Sequence, residues 1–354
     1  MSLEELKRKI NANVKGTHTD VLSKSTITSV ENYVSTDHYD LNRIISGSIF
    51  KGIPEKTMSL LVGAETCFKS SMAALSLANA QKQGYQCIVL DSEGAWNSAF
   101  VTRWGIDADN VIHSYVSFVE QAVDVVGSLL DEEGPFFIVL DSIGSLETKK
   151  LEREAKAKGE VKSDMGQLQK RIKRLLKLLL FLCKSKGSIV VLTGHLYASQ
   201  SMYGSADEIN GGRFVKLAPD IILSLKKKKI LDNTKNVVGN RIKAITLKNR
   251  FYPAFQETSV DINYREGIDK YSGLIDVAMD AGFIERKGAW YKNIVTGDKC
   301  QGASKINEII NDDMLKELDK YIEKTGYSTI NDNIEEVMEE VDKEINKPNK
   351  KKGE

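Results

Sequence analysis

Lys69 and Ser70 close the stretch GAETCFKS, residues 63–70. A glycine, five residues and then Lys-Ser is close to the spacing of loops that wrap phosphate groups. In such loops backbone N–H groups and the start of the next helix face the anion, the lysine adds a point charge and the hydroxyl ligates Mg²⁺. Phe68 stands where a second glycine is usual. It is tolerable if the backbone there has negative φ, where glycine is not required. Gly63, Ala64, Glu65, Thr66, Cys67, Phe68, Lys69, Ser70 and Ser71 are therefore the candidate cradle for a triphosphate.

Acidic residues in two other stretches suit the same chemistry. FFIVLDSI, residues 136–143, ends an apolar run in Asp141, with Ser142 next to it. An aspartate at the end of a neighbouring strand can hold the Mg²⁺ shell, so Ser70 and Asp141 are the candidate metal residues. QCIVLDSE, residues 86–93, ends in Asp91 and Glu93. A carboxylate at that edge can polarise the water that attacks a γ-phosphate, and Glu93 is the candidate base.

These residues need a rigid frame. TMSLLVGA before the loop reads as a buried strand, and KSSMAALSLANAQKQG after it as a helix ended by Gly84. QCIVLDSE, FFIVLDSI and SIVVLTGH (188–195) are further strands, separated by helical material. The alternation predicts an α/β fold, a mainly parallel twisted sheet with helices on both faces. After Pro219 the pattern turns strand-rich, with IILSLKKKK, RIKAITLKNRF and ETSVDINY. Residues 3–14 read as an isolated helix with Leu3, Leu6 and Ile10 on one side. The expected division is 1–34 for that helix and a linker, 35–270 for the core, 271–330 for a small α+β module and 331–354 for a charged tail.

Composition excludes some classes and leaves others open. The chain has 354 residues, 41% of them hydrophobic, enough for a sizeable core. Fifty Lys and Arg against 49 Asp and Glu leave a net charge of +1, so any nucleic-acid surface must come from clustering. The four cysteines form no C-x-x-C pair, which argues against a zinc site and a disulfide framework. The run LLKLLLFLC is too short to span a bilayer, and the expected setting is the cytoplasm, with no membrane partner.

At this point the residues carry a family resemblance. STDHYDLNRIISGSIFKGIP, GAETCFKS, LDSEGAWNSAFVTRWGID with NVIHSY, IVLDSIGSL, VLTGH and NGGRFVKLAPDIIL occur in the order seen in RecA-type recombinases. The FKS ending, the GH of VLTGH and YREGIDKYSGLIDVAMDAGFI are most similar to the UvsX-type recombinases of large tailed phages. The resemblance covers roughly residues 35–310. It implies a RecA-like ATPase core using ATP and Mg²⁺, with Lys69, Ser70, Glu93 and Asp141 in the roles already given. It also matches Phe100 to an aromatic that stacks on adenine, and His195 to the residue that senses the γ-phosphate.

The same resemblance implies contacts with DNA and with other copies of the chain. Residues 159–166, ending in Met165 and Gly166, match a first DNA-binding loop, with Lys170 and Arg171 beside it. Leu196–Gly212 matches a second loop, without Lys or Arg. Contacts there fall to Gly211, Gly212 and the adjacent Arg213, with Tyr197, Met202 or Tyr203 wedged between bases. The lysines from Lys173 onward read as a solvated helix face. Lys248 and Arg250 match cations that reach the γ-phosphate of the next subunit, and the N-terminal helix matches a docking element. Head-to-tail contacts that do not close give a helical filament on single-stranded DNA, paired with homologous duplex.

Single-strand-binding and loader proteins are further implied partners. Lys287, Lys292, Lys299 and Lys305 in the small module match a duplex-gathering surface, for which the acidic part of the tail is expected to compete. Two other functions stay open, a RecA-like motor such as a ring helicase and a non-catalytic paralogue that regulates a recombinase.

Overall fold

Val- and Ile-rich runs that are apolar on both faces must be covered on both faces, and they form the centre of one sheet. The computed structural model describes residues 1–14, 19–27, 29–150, 152, 165–197, 208–209, 212–232 and 234–326. The chain opens with α1 (Leu3–Asn13), β1 (Tyr33–Val34), α2 (Tyr39–Ser46) and β2 (Ile53–Pro54). The core follows with β3 (Met58–Gly63), α3 (Lys69–Lys82), β4 (Gln86–Asp91), α4 (Ser98–Arg103), β5 (Val111–Tyr115), α5 (Val119–Ser128) and β6 (Phe136–Asp141). It continues through α6 (Met165–Lys186), β7 (Ile189–Tyr197), β8 (Glu208–Ile209), α7 (Arg213–Leu217), β9 (Ile221–Leu231), β10 (Val237–Asn249), β11 (Glu257–Asn263) and β12 (Gly267–Asp269).

Among the described residues the main sheet has ten strands, in the order β12-β11-β10-β9-β3-β7-β6-β4-β5, with β8 paired to β7. The strands from β9 to β5 along this path are parallel, whereas β9 through β12 form an antiparallel extension. Every residue of β3 and β6 is buried, as a strand covered on both faces requires. Leu61, Val89, Val139 and Val191 face α2 and α3, while Leu60, Leu90, Leu140 and Leu192 face α5 and α6. On α6, Ile172, Leu175, Leu179 and Leu182 are buried and Lys170, Lys173, Arg174 and Lys177 exposed, as the periodicity predicts. Truncating one of those leucines to alanine typically costs about 2–5 kcal/mol.

The small module contains α8 (Leu274–Asp280), β13 (Ile284–Lys287), β14 (Trp290–Asn293), β15 (Lys299–Gln301) and α9 (Asp312–Thr325). It builds its own apolar core from Leu274, Tyr291, Met314 and Leu318, and takes in Ile49 from the segment after α2. Asp319 secures that contact by accepting from the Ile49 N–H at 2.7 Å and the Ser48 hydroxyl at 3.0 Å. By contrast, α1 buries none of its residues, although a capping box between Ser2 and Glu5 holds its first turn. On its apolar side Leu3 and Leu6 are exposed and Ile10 is half-buried. The proposed tail, 331–354, lies outside the described residues.

Two expectations need correction. β7 does not end at His195 but runs on to Tyr197, because Leu196 and Tyr197 pair with Ile209 and Glu208. Phe68 has φ 74°, in the left-handed region, not the negative φ expected for a non-glycine. Its ring packing supplies the compensation described below.

Candidate nucleotide site

The phosphate loop sits between the end of β3 and the start of α3, where Gly63 is pressed against β9. A Cβ on Gly63 would lie 2.4 Å from the Leu225 carbonyl oxygen, so no larger residue fits. Thr66 (φ 56°) and Phe68 both adopt left-handed backbone conformations. That conformation costs a non-glycine residue roughly 1–2 kcal/mol. The Phe68 ring meets Trp104 at 5.7 Å between centroids, and Trp104 in turn meets Phe100 at 6.4 Å. Lys69 is buried and folds back to donate to the carbonyls of Gly63 at 3.1 Å and Ala64 at 2.8 Å. Burial pushes its ammonium below the ordinary lysine value, which nearby groups including Asp141 only partly offset.

Glu93 lies across the cleft at the end of the β4 edge. Its Oε1 accepts from the Ser142 hydroxyl at 2.6 Å and the Ser145 hydroxyl at 3.0 Å, and lies 3.2 Å from His195 Nε2. Burial raises the Glu93 carboxyl, but hydrogen bonds from Ser142, His195 and Ser145 outweigh it and leave the group below the ordinary value. The result is an ionised carboxylate at the cleft wall, aligned by two hydroxyls and an imidazole. Asp91, almost fully buried, does different work. It accepts from the backbone N–H groups of Glu93, Gly94, Ala95 and Trp96 and is 3.2 Å from His113 Nε2, so it fixes the turn that carries Glu93.

Asp141 pairs in register with Asp91 on the neighbouring strand. Its two oxygens accept from Trp96 Nε1 at 2.9 Å and Thr193 Oγ1 at 2.5 Å. Ser70 and Asp141 line the same cleft, and this donor set fits Mg²⁺. Among the described residues no cluster of three or more His, Cys, Asp or Glu side chains is placed to hold a metal by itself. With a triphosphate bound, Ser70 and Asp141 are the residues that would hold such an ion, which would supply positive charge to the phosphates.

The cleft has a volume of about 1270 Å³, ample for a nucleoside triphosphate. The loop from Glu65 to Ser71, with Glu93, Asp141, Ser145 and His195, forms one wall. The other comes from the antiparallel extension, with Asn240, Tyr264, Arg265 and Glu266. Phe100 is not among the lining residues; Arg103 and Trp104 of the same helical turn are. Phe100 instead packs edge to face on Trp96 at 5.2 Å.

Sequence reasoning missed Ser145, Arg103, Trp104, Tyr264 and Arg265. Trp104 was within reach, since it follows Phe100 by one helical turn and shares its face. Tyr264 and Arg265 join the cleft only through strand pairing from the far side of the sheet, which no local pattern encodes.

Lys248 and Arg250 lie elsewhere. Lys248 is level with Ile222 of β9, and Ile222 with Leu60 of β3, so both cations sit at the opposite end of the parallel strands from the loop. Lys248 Nζ donates to the carbonyls of Leu217 at 2.9 Å and Pro219 at 2.6 Å, and Arg250 Nη1 to Asp220 Oδ1 at 3.1 Å. Burial, then the adjacent Arg250 charge, pushes Lys248 below the ordinary value. Neither side chain reaches the cleft of its own subunit.

Of the residues matched to DNA contacts, Gly166, Lys170 and Arg213 are exposed, whereas Arg171 is paired with Glu120 at 3.1 Å. Met165 opens α6 and Tyr197 is the last residue of β7. Gly212, with φ 86°, starts α7, and a Cβ on it would lie 2.9 Å from Gln169 Cγ. Gly212 therefore lies close against Gln169 of α6, beyond the end of the first loop segment. Met202, Tyr203 and Gly211 lie outside the described residues.

Comparison with known proteins agrees with this architecture. Residues 4–269 match the family model for the RecA N-terminal domain. Protein RecA of Streptomyces ambofaciens is 31% identical over 281 residues, covering 78% of this chain and 74% of that protein. Protein RecA of Streptomyces coelicolor is 30% identical over 77% of this chain and 72% of its own length, and that of Sulfurovum sp. 30% identical over 68% and 69%. Among the described residues no helix is long and apolar enough to cross a membrane. With this mostly parallel sheet and these matches, the chain belongs to the RecA family of DNA recombination and repair ATPases.

Proposed function

We propose that the protein is an ATP-dependent strand-exchange protein that polymerises on single-stranded DNA and pairs it with a homologous duplex. The observation that carries this reading is the separation of two half-sites. The loop with Lys69 and Glu93 lies at one end of the parallel strands, and Lys248 and Arg250 lie at the other. A difference of three residues between Leu60 and Gly63 is roughly 10 Å of strand, and both cations point away from the cleft. A second copy stacked head to tail brings its cations to the triphosphate, like an arginine finger, and hydrolysis becomes conditional on assembly. Exposed Leu3 and Leu6 of α1 suit docking on that neighbour.

Within one site the roles divide by chemistry. Backbone N–H groups of the loop and Lys69 hold the β- and γ-phosphates, and Ser70 and Asp141 would hold Mg²⁺, which when bound would supply charge to neutralise the phosphate oxygens. Glu93 orients and deprotonates the attacking water, with Ser142 and Ser145 fixing the carboxylate. His195, hydrogen-bonded to Glu93 and one strand residue before the second loop segment, links γ-phosphate occupancy to that segment. Exposed Lys170 and Arg213 supply phosphate contacts to DNA, and Phe100 supports the adenine side through Trp104. The FKS and GH variants support a UvsX-type, phage-encoded recombinase acting in recombination-dependent replication, with single-strand-binding and loader proteins as partners. The proposed units are 1–34, 35–270, 271–330 and 331–354.

Mixing a Glu93→Ala protein with a Lys248→Ala/Arg250→Ala protein tests the shared site. Mixed junctions contain one intact site, so part of the DNA-dependent ATPase returns. Absence of recovery at every ratio overturns the reading. A homology-dependent joint-molecule assay then separates strand exchange from motor activity.

A further inference from the structure

β9 runs parallel to β3, with Leu225 level with Gly63. There β3 stops and becomes the phosphate loop, whereas β9 continues to Leu231. Side chains alternate along a strand, so the face that carries Leu223 and Leu225 into the apolar layer below α3 next presents Lys227. Lys227 therefore stands just beyond the end of β3, over the loop. Its Nζ donates to Thr66 Oγ1 at 2.5 Å, and Thr66 lines the cleft in a left-handed conformation. Lys226 and Lys228 project from the opposite face of the strand.

We propose that Lys227 is a second cation of the phosphate loop, a positioning residue that holds the loop from outside and adds charge over the bound polyphosphate of its own subunit. The inference rests on reading the cleft as the nucleotide site. Lys69 acts from inside the loop, where it bonds Gly63 and Ala64. Lys227 acts from the outer side, and its ammonium has three donors, of which the Thr66 hydroxyl takes one. Its bond to the Thr66 hydroxyl holds that residue of the loop in place, so charge and loop geometry are delivered together. Unlike Lys248 and Arg250, it needs no second subunit.

The test uses the full-length chain with Mg²⁺. Titration calorimetry compares ATP, ADP and adenosine binding to the unmodified protein, Lys227→Ala, Lys227→Met, Lys227→Arg and Lys69→Ala. Lys227→Met keeps the aliphatic stem and guards against loss of packing. The expected result is about tenfold weaker ATP binding for the Ala and Met variants, a smaller loss for ADP, none for adenosine, and substantial rescue by Arg. With single-stranded DNA saturating and ATP varied, KM for ATP rises by a larger factor than kcat falls. Unchanged ATP affinity in both variants overturns the proposal, and so does an equal loss for adenosine, which marks a packing effect. If the unmodified protein binds no ATP, or Lys69→Ala binds it equally well, the nucleotide-site reading itself fails and this inference falls with it.

Discussion

The Phe68 ring meets Trp104 edge to face, with centroids 5.7 Å apart and planes 74° apart. This contact ties a phenylalanine with a left-handed backbone to the aromatic row Trp104, Phe100 and Trp96, whose last indole donates to Asp141. The loop and Asp141 are thus braced by one side-chain cluster. Phe68→Ala keeps the backbone penalty and loses the ring, whereas Phe68→Gly loses both. Urea unfolding is therefore expected to find the Gly variant more stable than the Ala variant by about 1 kcal/mol. The reverse order rules out a left-handed Phe68. A double-mutant cycle with Trp104→Ala should give a coupling of about 0.5–1.5 kcal/mol.

Glu93→Gln retains the size of the side chain and an oxygen that accepts from Ser142 and Ser145, and removes the base. ATP hydrolysis in the presence of single-stranded DNA should fall by about 10²–10⁴-fold, while ATP affinity stays within a fewfold of the unmodified protein. Because Glu93 is held below the ordinary carboxylate value, lowering the pH to about 5 leaves it ionised. A steep loss of catalysis that Glu93 accounts for at that pH contradicts the assignment.

His38 is buried, caps α2 through Nδ1 to the Leu41 N–H, and bonds Ser272 Oγ through Nε2 at 2.9 Å. Burial pushes its pKa down to about 4, against the opposing pull of Asp40, Asp269 and other acids. A depressed folded value means that stability is full above the unfolded value of about 6.5 and is lost as the pH falls toward 4. Between pH 8 and pH 5 the site should lose about 2 kcal/mol. His38→Asn keeps a helix cap and should flatten that part of the profile of unfolding free energy against pH.

Gly212, at the end of the second candidate DNA segment, sits against Gln169 of α6, the helix that follows the first. Gly212→Ala meets both a positive φ and a side chain that must move. Fluorescence anisotropy should show single-stranded DNA binding weakened several-fold, with ATP binding in the absence of DNA unchanged. Equal losses in both assays would place the effect in the fold instead.

Much of the core was legible because its signals are local. Buried apolar runs gave β3, β4, β6 and β7 to within a few residues, and the loop spacing pointed to Lys69 and Ser70. Glu93 and Asp141 followed from strand ends that share one sheet edge. The left-handed backbone at Phe68 was not legible, since it depends on Trp104, 36 positions away in the chain and brought near by packing. Lys227, Tyr264 and Arg265 were hidden for the same reason. Tyr264 and Arg265 reach the cleft, and Lys227 the outer side of the loop, only once β9 to β12 have folded beside β3, and a lysine run reads in sequence as a solvated strand.

If the site is shared between copies, the placement of Lys248 and Arg250 away from the loop gives every copy a donor face and an acceptor face. On the shared-site reading, a row of n protomers holds n − 1 complete engines, and the last cradle in the row always lacks its cations. That terminal protomer keeps its ATP unspent, so the two tips of the polymer differ chemically, and directionality of growth and shedding is written into a single polypeptide.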